Sequence, residues 1–328
     1  MNAANAIAPR KPTSSSSSSS EQARLRRIQD FALALVLVLL VVAGGVLRGE
    51  RFLNYENLKA TVTQASAVGI LAIGMTFIIA TGGIDLSVGS VLAFAAIAGG
   101  KLAGSGDLAF LGAALLAGTA AGAINGIAVA YGKVVPFIAT LAMLTVARGT
   151  ALWMSDKTPI SVSDLETIRW FGAGQVLGVP VPAWVLLSVA AIGWVLLNQT
   201  RYGRYVVAVG SNREAARIGG VRVQRVLLGV YAMTGLCAGL SAILLTGRLA
   251  SASPIAGNFY ELDAIAAVVI GGTSLAGGKA TVFGTLLGVL TFAVIFNLLT
   301  LLDMRIEIQQ IVKGIIIFAA VLVQRKGA

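Results

Sequence analysis

Histidine is absent from the 328 residues, cysteine occurs once, and charged residues make up only 12% of the chain. Without histidine, imidazole acid–base chemistry and imidazole metal ligation are excluded. The single cysteine, Cys237, cannot close an internal disulfide, and its apolar surroundings mark it as a buried, inert thiol. A soluble domain carries roughly 25% charge, because a water-facing surface needs it. Here 57% of residues are hydrophobic and the mean hydropathy is +0.86. That leaves too little polar surface for a water-soluble body, so the chain reads as a membrane protein. Its net charge of +11 would also suit nucleic acid. In a membrane chain, however, basic excess more often marks cytoplasmic loops, and the placement of the charges decides the matter.

Residues 1–27 hold a serine run, Ser14 to Ser20, flanked by Pro9 and Pro12, and are expected to form a disordered cytoplasmic tail. Arg24, Arg26 and Arg27 then precede an apolar run that continues to Leu47 and is followed by more of its kind. This is expected to be an uncleaved first membrane helix rather than a signal peptide. The remainder, 28–328, reads as one membrane domain with ten apolar segments: 29–47, 59–80, 84–103, 108–131, 135–154, 183–198, 222–247, 260–272, 281–302 and 306–323. A spanning helix needs about 20 apolar residues. Segment 260–272 is too short and 84–103 opens on a charge, so both are expected to be broken or re-entrant helices packed inside protein.

If the N-terminus is cytoplasmic and every segment crosses, the cytoplasmic side collects fifteen Lys and Arg with three acids. The outer side then holds eight Lys and Arg with ten acids, among them Glu261 and Asp263. This asymmetry obeys the positive-inside rule and predicts both termini inside, 200–222 cytoplasmic and 155–182 outside. It also removes the nucleic-acid reading, since the basic residues are spread along loop ends. Glycines recur every fourth residue at Gly118, Gly122 and Gly126, at Gly235 and Gly239, and at Gly284 and Gly288. Such spacing lets helix backbones approach closely in lipid.

GGTSLAGGKA at 271–280 fails as a phosphate-binding loop. Thr273 stands where a glycine is needed, and Ala280 stands where Ser or Thr would hold magnesium. Any ATP must then be handled by another subunit. The polar residues within apolar segments are the candidate solute pathway. Asp85 and Ser87 lie in TGGIDLSVGS, where either can cap the following helix or present a polar point to a solute. Asp85 is also a candidate proton carrier, although no second intramembrane carboxylate completes a relay. Asn125 and Asn297 suit sugar hydroxyls or interhelical hydrogen bonds, and Arg148 and Lys313 are expected to pair with carboxylates.

The loop from Arg201 to Arg225 carries six arginines around a short predicted helix at Asn212–Ile218. Asn212 can cap it, Glu214 suits its first turn, and Gly219 with Gly220 can end it. A short cytoplasmic helix on an otherwise embedded chain suggests docking onto a soluble partner, the alternative being a helix lying on anionic headgroups.

GMTFIIATGGIDLSVGS at 74–90, ARGTALWMSDKTPI at 147–160, RYGRYVVAVGSNREAARIGG at 201–220, ELDAIAAVVIGGTSLAGGKATVFGTLLG at 261–288 and QQIVKGIIIFAAVLV at 309–323 together resemble one family. It is the membrane permease subunit of the bacterial ribose-type ABC importers. The resemblance runs from about residue 50 to the C-terminus. It departs from that family's pattern in the serine-rich tail and at NLLTLLDM, 297–304, where a more asparagine-rich run is usual. It implies a homodimeric, inner-membrane permease fed by a periplasmic sugar-binding protein and driven by a cytoplasmic ATPase. That partner would use the ATP and magnesium, while this chain would hold no cofactor or metal and catalyse no covalent step. Arg204, Asn212, Glu214, Ala215, Ala216, Arg217 and Gly220 would couple to the ATPase. The expected fold is an all-α polytopic membrane protein, and the expected cargo is a monosaccharide, with ribose ahead of other pentoses, hexoses or a furanosyl signal molecule. An ion-coupled secondary transporter and a membrane scaffold or enzyme subunit are the rival classes. Sparse intramembrane acids and the coupling-like loop count against the first, and the lack of extramembrane domains against the second.

Overall fold

The structure, a computed structural model, describes residues 16–326 and is built almost wholly from helices. α1 (Ser16–Arg48) leads through a single turn, α2 (Glu50–Leu53), into α3 (Tyr55–Ala80), where the side chain of Asn54 caps the first turn. After a break at 81–87 come α4 (Val88–Lys101), a 3-10 turn (Ala103–Ser105), α5 (Asp107–Ala130) and α6 (Pro136–Met154). The next connection holds β1 (Ile160–Ser161), α7 (Glu166–Ala173) and the hairpin of β2 (Gln175–Val176) with β3 (Val179–Pro180). α8 (Val181–Gln199) is followed by two short helices, α9 (Arg201–Ser211) and α10 (Arg213–Ile218), and then α11 (Val223–Leu249). β4 (Ser251–Ala252) pairs antiparallel with β1. The last helices are α12 (Tyr260–Ile270), α13 (Val282–Leu301) and α14 (Ile306–Lys326).

Each of the ten apolar segments coincides with a helix. Seven (α1, α3, α5, α6, α8, α11 and α13) are long and apolar enough to cross a membrane. At 1.5 Å per residue α4 reaches only about 21 Å and α12 about 17 Å, well short of a ~30 Å hydrocarbon layer. These are the two segments expected to be interrupted. The amino-terminal expectation needs correction: residues 16–27 continue α1 as helix, whereas 1–15 lie outside the described residues. Gln22 to Arg27 are strong helix formers that run directly into the apolar segment.

The connections gather into two groups, each joined by its own hydrogen bonds. In one, Tyr55 donates to the Gly178 carbonyl (2.6 Å), Thr167 to Asp107 (2.9 Å), and β1 pairs with β4. In the other, the Gly278 amide donates to the Ala80 carbonyl (3.0 Å), and Thr140, near the start of α6, donates to the Ile84 carbonyl (3.3 Å). The groups correspond to the two sides that the charge pattern separated.

α3 is the central helix. From Ala65 to Ala80 every residue except Val68 is buried, as expected of a helix that is apolar on all faces. Its buried hydroxyls are satisfied within the protein: Ser66 bonds the Val62 carbonyl, and Thr76 bonds the Ala72 carbonyl and Thr285 of α13 at 2.8 Å each. The glycine repeats form close helix contacts. A Cβ on Gly122 would lie 2.9 Å from the Gly235 Cα and against the Tyr231 carbonyl, and one on Gly118 would lie 2.8 Å from the Gly239 amide. Gly284 and Gly288 of α13 likewise face Gly271 and Ala267. With no hydrophobic attraction between helices in lipid, this backbone proximity supplies dispersion contact that larger side chains would prevent.

Candidate functional site

Three of the four expected pathway residues meet at the break between α3 and α4. Gly82 takes φ +74, and α4 begins only after the chain has turned. Asp85 Oδ1 accepts from the Ser87 amide (2.7 Å) and the Ser87 hydroxyl (2.6 Å), and Asn125 of α5 donates to Ser87 Oγ (2.9 Å). All three side chains are buried. Asp85 therefore turns the chain into α4, while Ser87, though at the cap position, makes no side-chain cap bond. The hydroxyl of Tyr231 lies against this break and has no hydrogen-bond partner among the described residues; a Cβ on Gly83 would sit 2.9 Å from it. The cluster is a closed polar knot in the protein interior.

Asn297 lies elsewhere, on a cavity of about 570 Å³ between α3, α12, α13 and α14. Its amide and that of Asn57 exchange hydrogen bonds of 2.7 and 3.1 Å. Across the same cavity Lys313 of α14 pairs with Asp263 of α12 at 2.6 Å, and the ammonium sits 5.1 Å from the Phe296 ring centre. Lys313 thus finds a carboxylate as expected, but Arg148 does not pair with one directly. Its guanidinium donates to the carbonyls of Pro254 (2.7 Å) and Ala256 (2.9 Å), tying α6 to the connection before α12. Asp263, counted with the outer acids, is buried in the first turn of α12. Asn57 and the pairing of Asp263 with Lys313 were not legible in the sequence. The readable signal for Asp263 was its place inside the apolar segment 260–272, two residues after Glu261.

The expected coupling residues occupy α9 and α10. Asn212 caps α10 by accepting from the Ala215 amide (2.9 Å), and Gly220 at φ +83 lets the chain leave it. Arg217 donates to Glu214 through Nε (3.0 Å) and through Nη2. The guanidinium hydrogen bond and its charge hold this exposed carboxyl below the usual glutamate range. Arg204, Arg213, Ala215 and Ile218 are exposed, whereas Ala216 is buried against its own chain. Ala216 is thus part of the fold, and Ala215 with Ile218 forms the free surface. The other end of this unit is fixed by backbone contact: Gly210 abuts the Ala80 carbonyl and the Gly278 amide with no room for a Cβ.

Residues 57–321 match the protein family described as branched-chain amino acid transport system / permease component. The chain is 42% identical to the ribose import permease protein RbsC of Escherichia coli K12 over 298 residues, 89% of this chain and 93% of that one. It is 44% identical to RbsC of Bacillus subtilis over 293 residues, covering 88% and 91%. The D-allose transport system permease protein AlsC of E. coli is 38% identical over 293 residues, covering 88% and 90%. No solved structure matches.

Proposed function

The chain belongs to this transport-system permease family, and on that premise we propose that it is the membrane subunit of an ATP-binding-cassette importer carrying a monosaccharide, ribose foremost, into the cytoplasm. Two copies would form the pathway. A periplasmic sugar-binding protein would deliver the cargo to the side holding β1 and β4, and a cytoplasmic ATPase would engage the side holding α10. Both termini would then be cytoplasmic and the membrane the bacterial inner membrane. The ribose and allose permeases among the relatives support a sugar as cargo.

The observation that carries the energy source is α10, a capped helix that leaves Glu214, Ala215, Arg217 and Ile218 exposed outside the spanning helices. ATP binding and hydrolysis in the partner would displace α10, and α9 would pass that displacement to the ends of α3 and α4. No ion gradient is required, which separates this reading from a secondary transporter.

Reconstitution of the permease with its ATPase and binding protein in proteoliposomes tests it. Ribose uptake is expected to require ATP and to ignore a protonophore. Ala215→Trp is expected to retain a folded permease and lower ATPase co-purification by about tenfold to a hundredfold, the equivalent of ~1–3 kcal/mol of overpacking at the contact. Glu214→Arg should act through reversed charge at the rim, which sets orientation more than affinity. Full ATPase association and uptake with both variants, or uptake by the permease alone, would overturn the proposal.

A further inference from the structure

Resting on the importer reading, we propose that the cavity between α3, α12, α13 and α14 is a subsite for a neutral, polyhydroxylated solute of monosaccharide size. Its volume of about 570 Å³ lies inside the ~300–1,000 Å³ span of small-molecule sites. A single sugar ring therefore fits with some of its water.

The lining decides the chemical class. Lys313 and Asp263 neutralise one another at 2.6 Å. An anionic or zwitterionic solute therefore finds no unpaired charge here and would have to break that pair to gain one. Uncharged hydroxyls need no such rearrangement, because a carboxylate accepts more hydrogen bonds than one ammonium supplies. The amides point the same way. Asn297 gives one N–H and takes one bond in its exchange with Asn57, and an amide has two donors and two acceptor sites. Half of its capacity thus remains for groups that both donate and accept, as hydroxyls do. Gln64 and Gln310 add further amides, and Phe292 and Phe296 add apolar lining for the C–H groups of a sugar ring.

A lipid chain is the other candidate occupant at membrane depth, and the same residues disfavour it. It would leave amides and an ion pair facing hydrocarbon, an arrangement that is avoided because buried polar groups without partners are costly.

The test uses the reconstituted complex of permease, ATPase and binding protein, with the native buried Cys237 left in place. Thr300→Cys puts a thiol at an exposed position on the cavity, and Ser163→Cys puts one on an exposed loop remote from it. The rate of modification by a hydrophilic methanethiosulfonate is measured with and without D-ribose, and with L-leucine as a zwitterionic probe. With ribose at about nine times its dissociation constant, labelling at 300 should slow about tenfold, since only the free fraction reacts. Labelling at 163 should be unchanged by ribose, and leucine should protect neither position. Absence of labelling at 300 without sugar would show the cavity to be dry and overturn the proposal. So would equal rates with and without ribose, or protection by leucine. ATP-driven uptake is read on wild-type proteoliposomes in parallel. Intact uptake with no protection refutes the subsite alone, whereas no uptake by the wild-type complex refutes the importer reading and the ligand assignment with it.

Discussion

Removing Asp263 alone should be far more damaging than removing Asp263 and Lys313 together. The two side chains are 12% and 18% exposed and meet at 2.6 Å. With an effective dielectric near 20, two unit charges at that distance attract by about 6 kcal/mol, most of which is offset by the desolvation of both ions. Removing one partner leaves that desolvation unrepaid. Asp263→Asn, which strands the ammonium beneath the Phe296 ring, should therefore cost about 3–5 kcal/mol, and Lys313→Met a similar amount. The double variant keeps the volume and removes both ions, so it should fall within about 1–2 kcal/mol of wild type, giving a coupling energy of about 4 kcal/mol or more. Thermal unfolding of the purified permease in one detergent, followed by its tryptophan fluorescence, would measure all four chains. Single variants as stable as wild type, or a double variant whose loss equals the sum of the two singles, would refute the claim that the ions depend on each other.

The backbone contact of α5 on α11 predicts that Gly122→Leu lowers folded yield, because the atoms it meets cannot rotate aside; overpacking of at least ~1–3 kcal/mol is expected. Gly112→Leu, on the same helix but with nothing within 4 Å of its added Cβ, is the matched control and should be tolerated. Comparable yields for the two variants would remove the argument. At the α3–α4 break, Asp85→Asn keeps an acceptor for the Ser87 amide and should preserve assembly, whereas Asp85→Leu orphans buried donors at about 1–3 kcal/mol each. Transport lost in the correctly assembled asparagine variant would show that the charge itself is needed, and an assembled leucine variant as stable as wild type would sink the turn-forming role.

Local information was enough to read the helices and insufficient to read their meetings. Apolar run length located all ten segments, and the interruption of 84–103 was visible in Gly82, Gly83 and Asp85, because backbone freedom and a polar side chain mark a break at any depth. The fourfold glycine spacing announced close approach without naming the partner helix. Asp85, Ser87 and Asn125 were singled out separately, yet their union depends on α5 packing beside α4, which no local pattern encodes. Asn297 was legible as a polar group at membrane depth. Its partner Asn57 was not, since it precedes the apolar run of α3 and looks like an ordinary helix-start residue. The Asp263–Lys313 pair spans two helices separated by α13. Ala216 misled for a related reason: small residues suit both an external contact and an internal one, and only tertiary structure distinguishes them.

Where Gly210 meets the Ala80 carbonyl and the Gly278 amide, three stretches of main chain touch with no side chain between them. A side-chain contact can absorb a displacement by changing rotamer, but apposed backbones at interior density have no such slack. α9 is therefore geared to the end of α3 as a rigid tooth is to its neighbour. A tilt imposed on α10 would then reach the Gly82–Ser87 turn without lost motion, and a methyl group at position 210, set against the Ala80 carbonyl, would force the main chains apart.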